Sequence, residues 1–301
     1  MNILFENVNF ESSSGPNGFA TKLNNELATL GHDVSDIKSL SFEPDIQLSF
    51  ISSNFRIAPI VQRLDGIYFN IDQDFKQLNS TIRSTYEKCE AVIFQTNFNK
   101  MLIESWFGIH DNSYIIRNGT PLDIVSAIPA LESSHLSGYE NIWTCASSWR
   151  PHKRLSENIR YFLEFSSDKD CLVIAGENPD KFAHPRVYYA GHLNWIDLIS
   201  LFKISDYFLH LSWLDHCPNV VIDARACGCH IVCSSAGGTK EICGINSSIV
   251  QEDEWDYSPI KLYSPPKMDF TNIKNGDYES KISMKDVAEK YCIVFKDVLE
   301  I

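Results

Sequence analysis

The sequence of 301 residues lacks features that define several classes of protein. It has no run approaching 18 uninterrupted apolar residues, so no membrane-spanning segment is expected. Its first residues, MNILFENVNF, contain neither a basic stretch nor a long apolar run, which is typical of a strand rather than of a secretion signal. Basic residues are in the minority. The formal net charge of -13 argues against a nucleic-acid partner and against docking on an anionic bilayer by bulk charge.

Cysteine is present nine times, an odd number, and is scattered through strand-like and helix-like segments. This pattern is typical of reduced thiols that pack as small hydrophobes in a cytosolic compartment. A structural zinc site needs paired ligands two to four residues apart, whereas Cys227 and Cys229 are separated by a single residue. We therefore expect a cytoplasmic protein whose cysteines pack and hold no metal.

What the sequence does have is an alternation of short apolar runs with stretches of helical period. After the first strand, a helix is predicted with Phe19, Leu23, Leu27 and Leu30 on one face and with Gly31 at its end. The alternation is interrupted over residues 119–140, which carry two prolines and several serines, and then restarts with NIWTCAS. Such an alternation predicts a mostly parallel sheet with helices on both faces.

Two doubly wound α/β domains joined by a linker are therefore predicted. We predict an N-terminal domain over residues 1–125, a linker over 126–140, a C-terminal domain over 141–280 and a final helix over 281–301. Ligands of such sheets bind beyond the carboxyl ends of the strands. Loops that lead from a strand into a helix are therefore the places to look for function.

The stretch 213–230, WLDHCPNVVIDARACGCH, is the most informative of these loops. Pro218 suits the first turn of a helix and Gly228 suits its end. A helix N-terminus that favours phosphate is thus predicted after the strand YFLHLS. Asp215 lies ahead of that helix and Asp223 one turn inside it, where two carboxylates can accept hydrogen bonds from hydroxyls on either side of a diphosphate. The alternative is a helix cap and a solvated surface acid.

Three more loops carry candidate contacts, each with a plainer alternative. In ESSSGPNGFA, Gly15 and Gly18 allow the backbone to approach a ligand closely, or else form a simple turn. In SSWRPHKRL, Arg150 and Lys153 are candidate anion-binding groups or solvated charges at a helix start. In VQRLDG, Asp65 follows a strand and is a ligand contact or a turn residue.

The segment LSWLDHCPNVVIDARACGCHIVCSSAGGTKEI resembles the signature of family 4 retaining glycosyltransferases, which have the two-domain GT-B fold. The matching residues are Ser212, Pro218, Ala224, Ala226, Gly228, Val232, Gly237, Gly238 and Glu241. Further similar segments are GPNGFATKLNNELATLGHDV, VQRLDG, VIFQTNFNK, IIRNGTPLD, SSWRPHKRL, AGENPD and YYAGHLNWIDLISLFKISDYFLHLS. One departure is that the family usually has glutamates where this chain has Asp215 and Asp223.

The resemblance implies a GT-B fold in which two Rossmann-like doubly wound domains face each other across a cleft. The N-terminal domain would bind a carbohydrate or glycoconjugate acceptor, and the C-terminal domain a nucleotide-diphosphate sugar. The last helix would cross back to the N-terminal domain. The implied activity is hexosyl transfer with retention of configuration and without a metal or other cofactor. In this mechanism the acceptor attacks from the front face, and the donor phosphate takes the acceptor proton.

The resemblance also implies roles for individual residues. Asp215 would bond sugar hydroxyls and Asp223 the ribose hydroxyls. Arg150 with Lys153, or Arg150 with Arg154, would hold the diphosphate, because fixed cations stabilise the charge that develops on a leaving diphosphate. The other implied donor-binding residues are Gly15 and Gly18 over the phosphates, His192 and Leu193 at the base, and His216, Asn219 and Val220 at the helix start.

Asp65 lies where the family often has a histidine that faces the reacting sugar. It would orient the acceptor hydroxyl or support the sugar, and its alternative role as a turn residue stays open. Two other functions also stay open. One is a nucleotide-sugar epimerase of the same fold. The other is a non-catalytic, cysteine-rich metal or redox binding protein on a degenerate transferase scaffold, which only the aspartate-for-glutamate changes favour.

Overall fold

The computed structural model describes residues 1–12, 14–177 and 181–301. Ser13 of ESSSGPNGFA and residues 178–180 of AGENPD therefore lie outside the described residues. The chain divides into two compact units. Unit 1 consists of Met1–Pro121, Tyr257–Ile260 and Lys281–Ile301, and unit 2 consists of Leu122–Asp256 and Lys261–Ser280.

Strands and helices alternate along most of the described chain. The strands are β1 (Asn2–Glu6), β2 (Asp33–Asp36), β3 (Ile46–Phe50), β4 (Ile60–Leu64), β5 (Ala91–Phe94), β6 (Ser113–Ile115), β7 (Ile142–Ala146), β8 (Cys171–Ala175), β9 (Val187–Gly191), β10 (Tyr207–His210), β11 (His230–Ser234), β12 (Ser247–Val250) and β13 (Ile273–Asn275). The α-helices are α1 (Gly15–Thr29), α2 (Phe75–Tyr86), α3 (Asn97–Phe107), α4 (Leu122–Ala127), α5 (Leu155–Phe165), α6 (Trp195–Phe202), α7 (Asn219–Ala226) and α8 (Met284–Leu299).

Unit 1 contains a six-stranded parallel sheet in the order β2-β1-β3-β4-β5-β6. Strands β3, β4 and β5 are buried along their whole length, as expected where helices cover both faces of a parallel sheet. The predicted face of α1 is confirmed, because Phe19, Leu23 and Leu27 are buried, and Gly31 follows the helix at φ 81°. Helix α8 packs into the same core through Tyr291.

Unit 2 contains a seven-stranded sheet in the order β13-β12-β11-β10-β7-β8-β9, in which only β13 is antiparallel. From β9 to β12, the six parallel strands have the order 3-2-1-4-5-6 when numbered within the unit. The order reverses between β7 and β10. In doubly wound sheets this switch point is where ligands bind, because the loops after the two strands diverge there.

The predicted linker over 126–140 is part of unit 2 in the structure. Helix α4 opens the unit, the amide of Leu131 donates to the carbonyl of Ser200 at 2.9 Å, and Leu136 is buried. Its apolar residues are too irregularly spaced for a periodicity argument to detect this packing. Residues Tyr257–Ile260, predicted within the second domain, belong to unit 1, where Ile260 forms a β-bridge with Asn70.

Among the described residues, no helix combines the length and the hydrophobicity that crossing a bilayer requires.

Candidate functional site

Two loops of unit 2 meet at the switch point of its sheet. The first, residues 147–154, follows β7, and the second, residues 211–218, follows β10. The amide of Trp213 donates to the carbonyl of His152 at 2.7 Å. The side chain of Asn158 joins the same loops, since its Oδ1 accepts from Leu211 N and its Nδ2 donates to Arg154 O. These bonds hold the two loops in a fixed relation.

The loops bring Lys153 and Asp215 together as an ion pair. Lys153 Nζ lies 2.5 Å from Asp215 Oδ2, and the two side chains are 19% and 14% exposed. The residues beside them, Arg154 at φ 51° and Leu214 at φ 57°, have left-handed backbones, which cost energy for residues other than glycine and cluster at functional sites. The sequence named both charged residues, and the structure places them in contact.

A buried histidine that the sequence analysis did not single out completes this group. His210, the last residue of β10, is 3% exposed, and its Nε2 lies 2.9 Å from Asp215 Oδ2. Burial alone would raise the pKa of Asp215, but the Lys153 charge and the His210 hydrogen bond hold that pKa well below its usual range. Asp215 is therefore an ionised acceptor at neutral pH. In the sequence, only the position of His210 at the end of a predicted strand could have indicated its role.

The backbone of Asp215 is held by a glycine pair. Gly238 N donates to Asp215 O at 2.7 Å, and Gly237 forms a β-bridge with Asp215. A Cβ at Gly237 would lie 2.6 Å from Asp215 O, and the φ of Gly237 is 102°. Only glycine fits there without strain, which gives a physical reason for the Gly-Gly pair in the motif.

The three basic residues of SSWRPHKRL have different environments. Arg154 is 1% exposed, and its guanidinium makes two hydrogen bonds to the Glu252 carboxylate, at 2.9 and 2.7 Å, and one to Pro266 O. The prediction that Arg154 holds a diphosphate is corrected accordingly, because this charge is used inside unit 2. Arg150 is exposed and forms no ion pair within the described residues. Arg150 and Lys153 are therefore the cations of this loop that remain accessible.

Helix α7 begins beside Asp215. Asn219 and Val220 form its first turn, which follows Pro218 as the N-cap residue. His216 precedes them, and burial lowers its pKa to about 4, so its imidazole is neutral at pH 7. A helix N-terminus favours an anionic ligand. Because His216 is neutral, the positive charge beside such a ligand comes from other residues of the site.

Asp223, the second predicted carboxylate, lies inside α7 and is buried. Its Oδ2 accepts a hydrogen bond from Nε1 of Trp195 at 3.0 Å. Trp195 is the first residue of α6 and was not singled out from the sequence. The bond orients the Asp223 carboxylate, so Asp223 is not the solvated surface acid that the alternative interpretation required.

His192 and Leu193 lie between β9 and α6. His192 is exposed, whereas Leu193 is half-buried and packs against a small apolar cluster that includes Leu136 and Val173. The same leucine lines a cavity of about 780 Å³ on unit 2, together with Tyr188.

Unit 1 carries its candidate carboxylate, Asp65, directly after β4. Asp65 Oδ1 accepts from Nη1 of Arg63 and from Nε2 of Gln95, whereas Oδ2 is buried and makes no hydrogen bond with any described residue. Arg63 is buried, lies 3.9 Å from the ring centroid of Phe19 and donates to Asn118 Oδ1 at 2.8 Å. Burial raises the pKa of Asp65 more than Arg63 lowers it. Asp65 is thus more than a turn residue.

The glycines of the first loop lie at the start of α1. Gly15 is the first residue of the helix, Ser14 is its N-cap, and Gly18 N donates to Ser14 O at 2.7 Å. A Cβ at Gly18 would meet no atom within 4 Å, so this side of the helix is open to an approaching ligand.

The cysteines pack as predicted. All nine are free thiols, and all are buried except Cys227, which is half-buried. Within residues 1–12, 14–177 and 181–301, no three or more His, Cys, Asp and Glu side chains gather in an arrangement able to hold a metal ion. No observation on these residues favours the interpretation as a cysteine-rich metal protein.

Comparisons with known proteins agree with this geometry. The sequence profile described as Glycosyl transferases group 1 matches residues 141–258, which include both loops of the unit 2 site. No curated protein matches the chain in sequence.

Among solved structures, sucrose-phosphate synthase from Thermosynechococcus elongatus has a TM-score of 0.66 at 11% identity, over 99% of this chain and 96% of that one. Anabaena HepE in complex with UDP-glucose has a TM-score of 0.65 at 13% identity, over 100% and 98%. An alpha-glucosyltransferase with UDP-glucose and DNA containing an abasic site has a TM-score of 0.56 at 14% identity, over 86% and 84%. Likeness at this level of identity shows the fold, and the predicted GT-B fold with two Rossmann-like units is confirmed.

Proposed function

We propose that this chain, whose residues 141–258 match the profile of the group 1 glycosyltransferases, moves a sugar from a nucleotide-diphosphate sugar to an acceptor hydroxyl. The observation that carries this proposal is the Lys153–Asp215 pair at the switch point of unit 2, next to the start of α7. A cation, a carboxylate and a helix N-terminus in one place match the chemistry of a sugar diphosphate.

The donor is assigned to unit 2 residue by residue. Arg150, Lys153 and the first turn of α7 hold the diphosphate. Asp215 accepts hydrogen bonds from sugar hydroxyls through Oδ1, since both of its contacts use Oδ2. Asp223 accepts from the ribose, with Trp195 fixing the orientation of its carboxylate.

Other donor contacts belong to the backbone and to the first loop of the chain. The main chain of His192 and Leu193 contacts the base, and His216 lines the site as a neutral group. The amides near Gly15 and Gly18 contribute to the phosphates. A uridine donor is the first to test, because Anabaena HepE, a protein of the same fold, binds UDP-glucose.

Fixed positive charge is the centre of the proposed mechanism. When the bond from sugar to phosphate breaks, negative charge develops on the leaving diphosphate. Removing one preorganised donor from such a site typically costs roughly 10²–10³ in kcat. Arg150, Lys153 and the amides of α7 supply this stabilisation, so we propose that no divalent metal is needed. The acceptor attacks from the front face, its proton passes to the donor phosphate, and configuration is retained.

The acceptor is assigned to unit 1, where the Asp65 side chain, which is 16% exposed, accepts a hydrogen bond from an incoming hydroxyl. We propose a carbohydrate or glycoconjugate acceptor and a cytoplasmic hexosyltransferase. One relative of the same fold is known in a complex with DNA. The net charge of -13 on the present chain disfavours a polyanionic acceptor, because it would repel the phosphate backbone.

Two measurements test the proposal in order. A melting panel with UDP, GDP, ADP and their sugars identifies the donor, since a ligand at 100 times its Kd adds about 2.7 kcal/mol of stability. Product analysis with that donor then compares samples with and without carbohydrate acceptors. Sugar transfer only when an acceptor is present supports the proposal. Donor consumption to an isomer in the absence of acceptor would identify an epimerase, and no response to any nucleotide would refute both enzymes.

A further inference from the structure

His210 has a contact that the proposed donor site does not explain. Its Nε2 approaches the same oxygen of Asp215, Oδ2, that Lys153 Nζ approaches. The other oxygen, Oδ1, makes no hydrogen bond within the described part of the chain. One donor comes from the end of β10 and the other from the loop after β7, and both approach a single oxygen. The second oxygen of the carboxylate is thus left for another partner.

The chemistry of the pair decides which atom donates. An ionised carboxylate only accepts hydrogen bonds, so Nε2 of His210 must carry the proton. Burial lowers the pKa of His210, which keeps the imidazole neutral at pH 7 and requires the Nε2–H tautomer. The ring itself is held by the fold, because it lies nearly parallel to the Phe208 ring at 6.3 Å and belongs to a strand paired on both sides.

We propose that His210 is a positioning residue whose Nε2–H fixes the Asp215 carboxylate so that Oδ1 faces the donor sugar. This rests on the proposed function of the site. Lys153 alone cannot do this, since a lysine ammonium is a point charge on a flexible stem and defines no plane. The planar imidazole on β10 supplies the direction, and Lys153 supplies the charge.

The charged and titratable groups that face His210 are Asp215, Lys153 and His152, and they predict how its loss acts. Without the His210 hydrogen bond the pKa of Asp215 rises, because that bond favours the charged form. The acid limb of kcat should therefore move to higher pH in a His210→Ala variant. Affinity for the nucleoside diphosphate alone should not change, since UDP lacks the sugar that Asp215 contacts.

The test compares His210→Ala with His210→Gln, whose side-chain amide can donate from nearly the same place as Nε2. His230→Ala, a change to another histidine of unit 2 that lies in β11, is the matched control. We expect His210→Ala to lower kcat by about ten- to a hundredfold, the range for one hydrogen bond to a charged group. His210→Gln should recover most of that loss, and the control should stay within twofold of wild type. All should bind UDP as the wild type does.

Nitrogen NMR of the wild-type imidazoles gives a readout that needs no activity. The proposal expects the His210 proton on Nε2 and a change in its signal in an Asp215→Ala variant. A proton on Nδ1, a His210→Ala variant with wild-type kcat, or a His210→Gln variant as impaired as His210→Ala would each overturn it. If the wild type transfers no sugar while the Nε2–H tautomer is observed, the proposed function fails and the contact stands.

Discussion

Asp215 in unit 2 and Asp65 in unit 1 are built alike, and yet their pKa values are shifted in opposite directions. Each follows the carboxyl end of a parallel strand, and each has one oxygen that receives two hydrogen bonds while the other receives none from the described residues. The pKa of Asp215 is held well below its usual range, whereas burial raises that of Asp65. The donors themselves differ, since Asp215 receives its bonds from Lys153 and His210, whereas Asp65 receives them from Arg63 and the neutral amide of Gln95.

Burial raises the pKa of both carboxylates, and the difference comes from how far their partners offset it. The two side chains are about equally exposed, 14% for Asp215 and 16% for Asp65, but Lys153 and His210 together outweigh the burial of Asp215. Asp65 lies beside Arg63, which is itself buried between aromatic rings, and the desolvation of the carboxylate exceeds the attraction. A carboxylate that stays charged suits the hydroxyls of a donor sugar. A carboxylate that is protonated more easily suits a weaker hydrogen bond to an acceptor hydroxyl.

The largest effect is expected from Lys153→Ala. This change removes a cation from the leaving diphosphate and leaves the Asp215 charge uncompensated, so kcat should fall by about 10²–10³. Lys169→Ala is the control, since Lys169 forms an exposed ion pair with Glu140 on the same unit. Steady-state kinetics with both variants checks the prediction. Wild-type kcat in Lys153→Ala, with melting unchanged in both variants, would remove Lys153 from the mechanism.

A smaller and split effect is expected from changes to the two carboxylates. Asp215→Asn should lower kcat and weaken the binding of the nucleotide sugar. Asp65→Asn should raise the acceptor KM about tenfold and leave the donor KM unchanged, since one hydrogen bond to the acceptor is weakened. Asp168→Asn in unit 2 and Asp111→Asn in unit 1 are exposed controls. Identical kinetic changes in both carboxylate variants would mean that the units do not divide donor and acceptor as proposed.

Lowering the pH should change the acceptor KM a few-fold, through Asp65, before it changes the donor KM, through Asp215. The raised pKa of Asp65 means that it takes up a proton first as the pH falls, and the acceptor KM should then rise. Asp215 stays ionised until the pH falls below its lowered pKa, and burial keeps His152 and His216 neutral down to a pH of about 4. The donor KM should stay flat over that interval. A donor KM that rises before the acceptor KM would reverse the assignment.

Stability should depend on pH with opposite sign at the two carboxylates. Asp215, with a lowered pKa, contributes stability that is present above the ordinary aspartate pKa and is lost as the pH falls through its folded-state value. Burial of Asp65 raises its pKa, so its charged form lowers the free energy of unfolding. This loss of stability disappears as the pH falls through the raised, folded-state pKa. Urea unfolding of Asp215→Asn and Asp65→Asn across pH should therefore diverge from wild type in opposite directions.

A chelator should have no effect on the rate, which is the smallest effect expected. Fixed cations and amides carry the diphosphate charge in the proposed mechanism, so EDTA should leave initial rates unchanged. Rates with EDTA alone and with EDTA plus excess Mg²⁺ or Mn²⁺ check this. A rate that collapses with EDTA and returns with metal would contradict the metal-free mechanism.

Features set by neighbouring residues could be predicted from the sequence. The buried face of α1, its end at Gly31 and the start of α7 after Pro218 follow from periodicity and from single-residue backbone preferences. Lys153 and Asp215 could be singled out because each lies in a loop after a predicted strand.

Features set by the path of a loop or by residues far apart in the sequence could not be predicted. The bond of His210 to Asp215 depends on the path of the loop after β10, and the pairing of Arg154 with Glu252 joins residues 98 positions apart. From the sequence alone, Arg154 and Lys153 were equivalent cations, whereas in the structure Lys153 contacts Asp215 and Arg154 contacts Glu252. The packing of residues 126–140 depended on α6, which a local pattern does not reveal.

Calorimetric titration of UDP in the presence of EDTA tests most directly whether unit 2 neutralises a diphosphate with its own charges. We predict that the wild type binds, and that an Arg150→Gln, Lys153→Gln double variant binds at least tenfold more weakly while melting at the wild-type temperature. Binding by the wild type only after a divalent metal is added, or equal affinity in the double variant, would contradict the account.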